Sequence, residues 1–135
     1  MNQELRKSNK ELSTWKETYE LRNTLDLWAH AILTHLEGGD TEYLKNKISD
    51  NITISEDKLI YKKPNYKDFI IPKNPENKYI LRQRAYMFTD DKKNKFLSIY
   101  EIISGGFQTE RQGTLNFHFI LKDGKWLLDF LNEDE

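Results

Sequence analysis

The sequence predicts a single α+β domain, with helices first and an antiparallel meander last. Three observations predict it: an uninterrupted helical stripe near the N-terminus, four strand-like runs in the second half, and an Asp123-Gly124 dipeptide between the last two runs. A chain of 135 residues, 37% hydrophobic and 13% aromatic, is long enough for one core and has the large side chains to fill it.

From Glu4 to Leu36 there is neither proline nor glycine, and Leu21, Leu25, Trp28, Ile32 and Leu36 recur at three- and four-residue steps. That spacing sets them on one face of a helix. Upstream, Leu5, Leu12 and Tyr19 form a thin heptad stripe with Trp15 among charged residues, so residues 1–20 read as a helical extension that projects or seeks a partner. Gly38-Gly39 stops the helix, and Asp40 or Thr41 is placed to cap a short second helix reaching Ile48, with Tyr43, Leu44 and Ile48 facing inward.

Ile52-Thr53-Ile54 alternates as a short strand, a polar turn follows, and a second extended piece ends at Tyr61. All three prolines, Pro64, Pro72 and Pro75, fall between Lys62 and Asn77, which argues for a long ordered loop with one helical turn near Lys67 to Ile71. Four strands are expected beyond it, at Lys78 to Thr89, Phe96 to Ser104, Gly113 to Lys122 and Lys125 to Leu131. The domain proper is thus 21–131, and 132–135 reads as a frayed acidic tail.

A two-residue turn at Asp123-Gly124 sets Leu121 opposite Trp126, Phe119 opposite Leu128 and Phe117 opposite Phe130. Six large apolar side chains then share one face. The other face carries Asn116, His118, Ile120, Lys125, Leu127 and Asp129, with Leu131 extending it.

The string from Leu115 to Phe130, with its Asp-Gly turn followed by Trp126, resembles the closing hairpin of NTF2-like (cystatin-like) domains. The stretch from Phe96 to Phe130 is more narrowly similar to the membrane-proximal NTF2-like domain of some Gram-positive penicillin-binding proteins and of envelope lipoproteins. The resemblance implies N-terminal helices packed on a strongly curved antiparallel sheet, a cone-shaped cavity at one end, and dimerisation through the outer sheet face. Motif-level similarity covers only the last third of the chain, and it marks a fold without naming a reaction.

Candidate chemistry is sparse. His118 and Asp129 fall directly across the hairpin in this register, where a carboxylate orients an imidazole, and some NTF2-like enzymes use such a pair. The pair lies on the mixed face, away from any cavity, and a one-residue bulge would reverse that placement. Arg82, Arg84, Glu101, Glu110 and Arg111 are expected to converge as a polar patch with Tyr86 and Tyr100 nearby, readable as a ligand grip or as a set of surface ion pairs. His30 and His35, five apart on the helix, do not share a metal-binding face, and His35 suits the helix C-terminus.

Neither a metal nor a cofactor is expected, since there is no P-loop, no nucleotide-binding glycine fingerprint and no G-x-S-x-G motif. Cysteine is absent, which excludes disulfide and thiolate chemistry. The 21 basic and 22 acidic residues cancel to a formal charge of -1, so no nucleic-acid partner is expected, although Lys, Arg and Tyr interleave between residues 57 and 84.

No apolar run is long enough to span a bilayer, and membrane association is expected only through an anchor outside this sequence. The expected function is a non-catalytic accessory or protein-interaction domain of the cell envelope, pairing with a protein partner or with itself as a homodimer. The alternative is a small cytoplasmic enzyme of the SnoaL or ketosteroid-isomerase type, or a binder of a hydrophobic small molecule.

Overall fold

The computed structural model describes the backbone of residues 2–71, 80–103 and 111–134, and the side chains of 15–71, 81–102 and 113–134. The first element, α1 (Asn2–Gly38), is one continuous helix of 37 residues, about 55 Å long at 1.5 Å per residue. Among its described side chains, those that join the core start at Leu21 and run through Leu25, Ala29, Ile32, Leu33 and Leu36. Gly39, at φ 74, ends it. The Gly39 and Asp40 amides donate back to the carbonyls of Leu36 and His35 at 3.2 and 2.9 Å, the paired bonds of a Schellman cap that needs a left-handed residue at this position.

Asp40 caps α2 (Thr41–Leu44), its carboxylate accepting the Tyr43 amide. The second helix is shorter than the sequence suggests, because the chain leaves the helical path after Leu44 to reach the last strand. The Leu128 amide donates to the Lys47 carbonyl at 2.7 Å, and the Ser49 amide donates to the Leu128 carbonyl at 2.8 Å.

A small antiparallel sheet follows, β1 (Ile52–Ile54), β2 (Lys58–Tyr61) and β3 (Phe69–Ile70), in that order. The third strand replaces the helical turn expected near Lys67 to Ile71. Phe69 is buried, Ile70 is 64% exposed and Ile71 is buried again, a period of two that pairs Phe69 with Leu59 and cannot be met by a helix. Most of the proline-rich remainder, with the expected strand start at Lys78, lies in 72–79, outside the described residues.

The second sheet is the expected meander, β4 (Ile80–Phe88), β5 (Lys95–Ile103), β6 (Arg111–Lys122) and β7 (Lys125–Asp134). The molecule is therefore α+β. Its larger sheet is open, with β4 and β7 at the edges, and is not strongly curled. Asp123 and Gly124, at φ 53 and 78, form the two-residue turn between β6 and β7, the positive-φ pair that favours Asp-Gly. β7 continues through Asn132 and Glu133 to Asp134, which pair with Asn116, Leu115 and Thr114, so these residues are strand and not a frayed tail.

The hairpin register departs from expectation at one point. Leu121 opposes Trp126 and Phe119 opposes Leu128 as expected, but a bulge between His118 and Phe119 inserts Asp129 as an extra residue on β7. Phe117 therefore faces Leu131, while Phe130 faces His118 on the other side of the sheet. Leu131, expected on the outer face, is fully buried with Phe117, Phe119 and Leu128 under α1 and the small sheet.

Both layers meet at the edge of β7. The Tyr61 hydroxyl donates to the Leu131 carbonyl at 2.5 Å and accepts the Leu131 amide at 3.1 Å, and Asn51 Nδ2 donates to the Asp129 carbonyl at 2.9 Å. Backbone groups that an edge strand leaves open are thus closed by side chains from β2 and the turn before β1.

Candidate functional site

The polar patch expected on β4 and β5 is divided by the sheet. Arg82 opposes Glu101, and a bulge between Gln83 and Ala85 takes up Arg84. On the outer face, Glu101 accepts from Arg82 Nε at 3.1 Å and from Arg84 Nη1 at 3.3 Å. Both guanidinium groups are well exposed, so this cluster is a set of surface ion pairs with little net effect on stability.

Without the bulge, Tyr86 would share that face with Arg82 and Arg84. The extra residue turns it inward, opposite Ser98, where its ring stacks on Phe96. The Arg22 guanidinium of α1 lies 5.5 Å from the Tyr86 ring centroid. Tyr100, one residue from Glu101, also points inward by strand alternation and is fully buried. Arg111 pairs through its backbone with Ile103, but its side chain and all of Glu110 lie outside the described residues.

Three α1 residues meet these tyrosines. Arg22, Asp26 and His30 are spaced by four and run along one flank of the helix, beside the apolar stripe. The Tyr100 hydroxyl donates to Asp26 Oδ1 at 2.6 Å, and His30 Nε2 approaches the same oxygen at 3.4 Å with its ring edge-on to Tyr100. Arg22 Nε donates to the Gln83 side-chain oxygen. Burial, reinforced by the Asp26 hydrogen bond and charge, pushes the Tyr100 hydroxyl far above the usual phenol range.

Sequence reasoning misses Asp26, and it misses the role of His30 because the His30/His35 spacing tests only for a metal-binding face. The readable signal was the charged row at positions 22, 26 and 30, one residue off the core stripe at Leu21 and Leu25. Chemically the arrangement satisfies a buried phenol with a carboxylate. A cleft of about 270 Å³ at the junction of α1, α2 and the small sheet, and another of about 160 Å³ between β3 and the end of β7, are lined by none of Arg22, Asp26, His30, Tyr86 or Tyr100.

His118 and Asp129 are not a cross-strand pair, because the bulge sends Asp129 toward the small sheet. Asp129 Oδ1 accepts from Ser49 Oγ at 2.6 Å, and Lys63 Nζ stands 3.5 Å from Oδ2. His118 Nε2 lies 3.1 Å from Asn132 Oδ1, an oxygen that only accepts, so Nε2 carries the proton in the neutral ring. The imidazole rests on Phe130, which in turn packs against Tyr61 and Tyr66.

Burial lowers the His118 pKa, opposed by the Asn132 hydrogen bond and the charges of Asp129 and Asp134. In the unfolded chain the ring accepts a proton at its ordinary value of 6.5, while the folded chain resists it. Stability is therefore expected to be full above that pH and to fall as pH drops below it, until the folded pKa is passed. Urea titrations of the wild type and His118→Gln across the mildly acid range should diverge, the variant lacking this contribution; parallel curves would refute it.

His35 sits in the last turn of α1, bonded to Asp40 at 3.0 Å and stacked on Tyr43, a capping arrangement. Among the described residues, no group of three or more His, Cys, Asp or Glu is placed to hold a metal ion, and no helix is long and apolar enough to cross a membrane. Comparisons with protein-family models, with curated proteins and with solved structures give no match.

Proposed function

We propose that the chain is a non-catalytic protein-interaction module of the cell envelope, an NTF2-like scaffold whose N-terminal helix is the docking arm. The observation that carries this is the exposure of Trp15 and Tyr19, 73% and 56%, one turn apart on α1 and ahead of Leu21, the first described side chain that packs on the core. Large aromatics held on a rigid helix are efficient anchors for a partner helix or groove, since little side-chain freedom is lost on binding. The interior supports the non-catalytic part, because Phe96, Tyr100, Phe117 and Phe119 fill the space beneath α1.

The NTF2-like assignment rests on the helix-first, meander-last order and on the Asp-Gly hairpin followed by Trp126. The larger sheet of this scaffold is not strongly curled. Placement at the envelope, outside the cytoplasm, rests on the similarity to membrane-proximal domains, and an anchor would come from sequence beyond this chain.

The test is a photo-crosslinking residue at position 15 or 19 of the full chain in its host, together with sedimentation velocity of the purified protein. A discrete adduct, or a reversible dimer that is lost in Trp15→Ser/Tyr19→Ser, is expected. A monomer that gives no adduct from either position overturns the proposal.

A second reading, a small SnoaL- or ketosteroid-isomerase-like enzyme or a binder of a hydrophobic molecule, is favoured by one contact, the Asp26 carboxylate on buried Tyr100. It requires a ligand that displaces Tyr100 and reaches Asp26. Binding of a hydrophobic carbonyl compound that disappears in Asp26→Asn would favour it over the docking arm.

A further inference from the structure

The cleft at the junction of α1, α2 and the small sheet has two kinds of wall. Its floor is aliphatic, built from Leu36, Leu44, Ile54 and Ile71, and its rim carries Thr41, Ser55 and Glu56. Leu36, Leu44 and Ile71 are core residues at 2%, 1% and 5% exposure, fixed by packing, so the floor is preformed. The volume, about 270 Å³, suits a ligand of roughly nine non-hydrogen atoms at ~30 Å³ each.

Charge around the mouth is one-sided. Glu56 and Asp57 stand on the turn between β1 and β2; the Asp57 carbonyl accepts the Ile71 amide at 2.8 Å, while neither carboxylate has a hydrogen-bond or ion-pair partner among the described residues. On the facing wall, Asp40 is taken up by His35 and the Tyr43 amide, and Glu42 by Lys45. Lys58, the first residue of β2, pairs with Asp68 at 3.5 Å. An aliphatic slot with an open carboxylate at its rim is complementary to a chain of methylenes ending in a cation: the methylenes gain by leaving water, and the ammonium keeps a charged acceptor without being buried.

We infer that this cleft binds a short aliphatic primary amine, its hydrocarbon chain lying over Leu36, Leu44 and Ile71 and its ammonium against Glu56. The site is independent of the docking arm, lying at the opposite end of α1 from Trp15 and Tyr19. An amine bound here touches both the α1–α2 corner and the β1–β2 turn, and so tightens the contact between the helical layer and the small sheet.

The experiment is calorimetric titration of the full chain with hexylamine, hexanol and hexanoate. Hexylamine is expected to bind at least five-fold more tightly than either of the others. Glu56→Gln should bring it to parity with hexanol while leaving hexanol unchanged. Thr41→Leu, at an exposed rim position where a larger side chain narrows the slot, should weaken hexylamine and hexanol together, with melting curves showing both variants folded. Equal affinity for amine and alcohol, no binding of either, or amine binding that survives in Thr41→Leu would overturn the inference, the last by assigning the amine to the acidic surface at large.

Discussion

Leu131→Ala is expected to cost ~2 to 5 kcal/mol of folding stability, the range for removing a fully buried leucine from a packed core. Leu127→Ala should cost much less, because Leu127 is only partly buried, on the outer face of β7. The contrast isolates the bulge at Asp129. In an unbulged hairpin, Leu127, Asp129 and Leu131 would share one face, and the two substitutions would have similar effects. With Asp129 as the extra residue, Leu131 moves beside Phe117 and joins the core that includes Phe119 and Leu128. Urea denaturation of the two variants measures the difference directly, and equal losses would show that the strand is not bulged.

The second large effect lies at alkaline pH. Tyr61 and Tyr100 are both buried, and desolvation is the main cause that holds their hydroxyls well above the ordinary phenol value of 10. Above that value the unfolded chain releases protons that the folded chain retains, so stability present at neutral pH is lost as pH rises. Each tyrosine contributes a slope of ~1.4 kcal/mol per pH unit, and the pair approaches ~2.7. Against a typical total of ~5 to 15 kcal/mol, two pH units then consume much of the margin. Alkaline unfolding followed by circular dichroism should be steep in the wild type and flatter in Tyr61→Phe/Tyr100→Phe. Phenolate absorbance from these two rings should appear only with unfolding, and its appearance while the fold is intact would refute the prediction.

Much of the chain was legible where local rules and tertiary packing agree. The three- and four-residue spacing from Leu21 to Leu36 gave the buried half of α1, Gly38-Gly39 gave its stop, and Asp123-Gly124 gave the final turn. The bulges at Arg84 and Asp129 were not legible. An extra residue in a strand leaves no mark in composition, yet it moves every following side chain to the opposite face, and this separated Tyr86 from Arg84, Asp129 from His118 and Leu131 from Leu127. The continuation of β7 through Glu133 and Asp134 was hidden because acidic residues are poor strand formers. There, pairing with β6 and the Asn116 bond to Asp134 at 2.8 Å override propensity. Among the described candidates for the polar patch, the ion pairs of Arg82 and Arg84 with Glu101 came together as the sequence suggested.

An open four-stranded sheet is a template on which a second molecule's strand can grow, and the two edges of this one are unequal in that respect. β7 is closed to a newcomer. Lys47 and Ser49 occupy the backbone of Leu128, Asn51 takes the Asp129 carbonyl, and the Tyr61 hydroxyl occupies both polar groups of Leu131. At β4 the described residues supply no neighbouring strand, and the defence is of another kind, a bulge that breaks the row at Arg84 with charged arginines on either side of Gln83. Sheet-to-sheet aggregation, if the protein is stressed short of unfolding, is therefore expected to begin at β4. Neutralising Arg82 and Arg84 would remove part of that defence, while the tyrosine latch keeps β7 out of reach until the small sheet itself comes away.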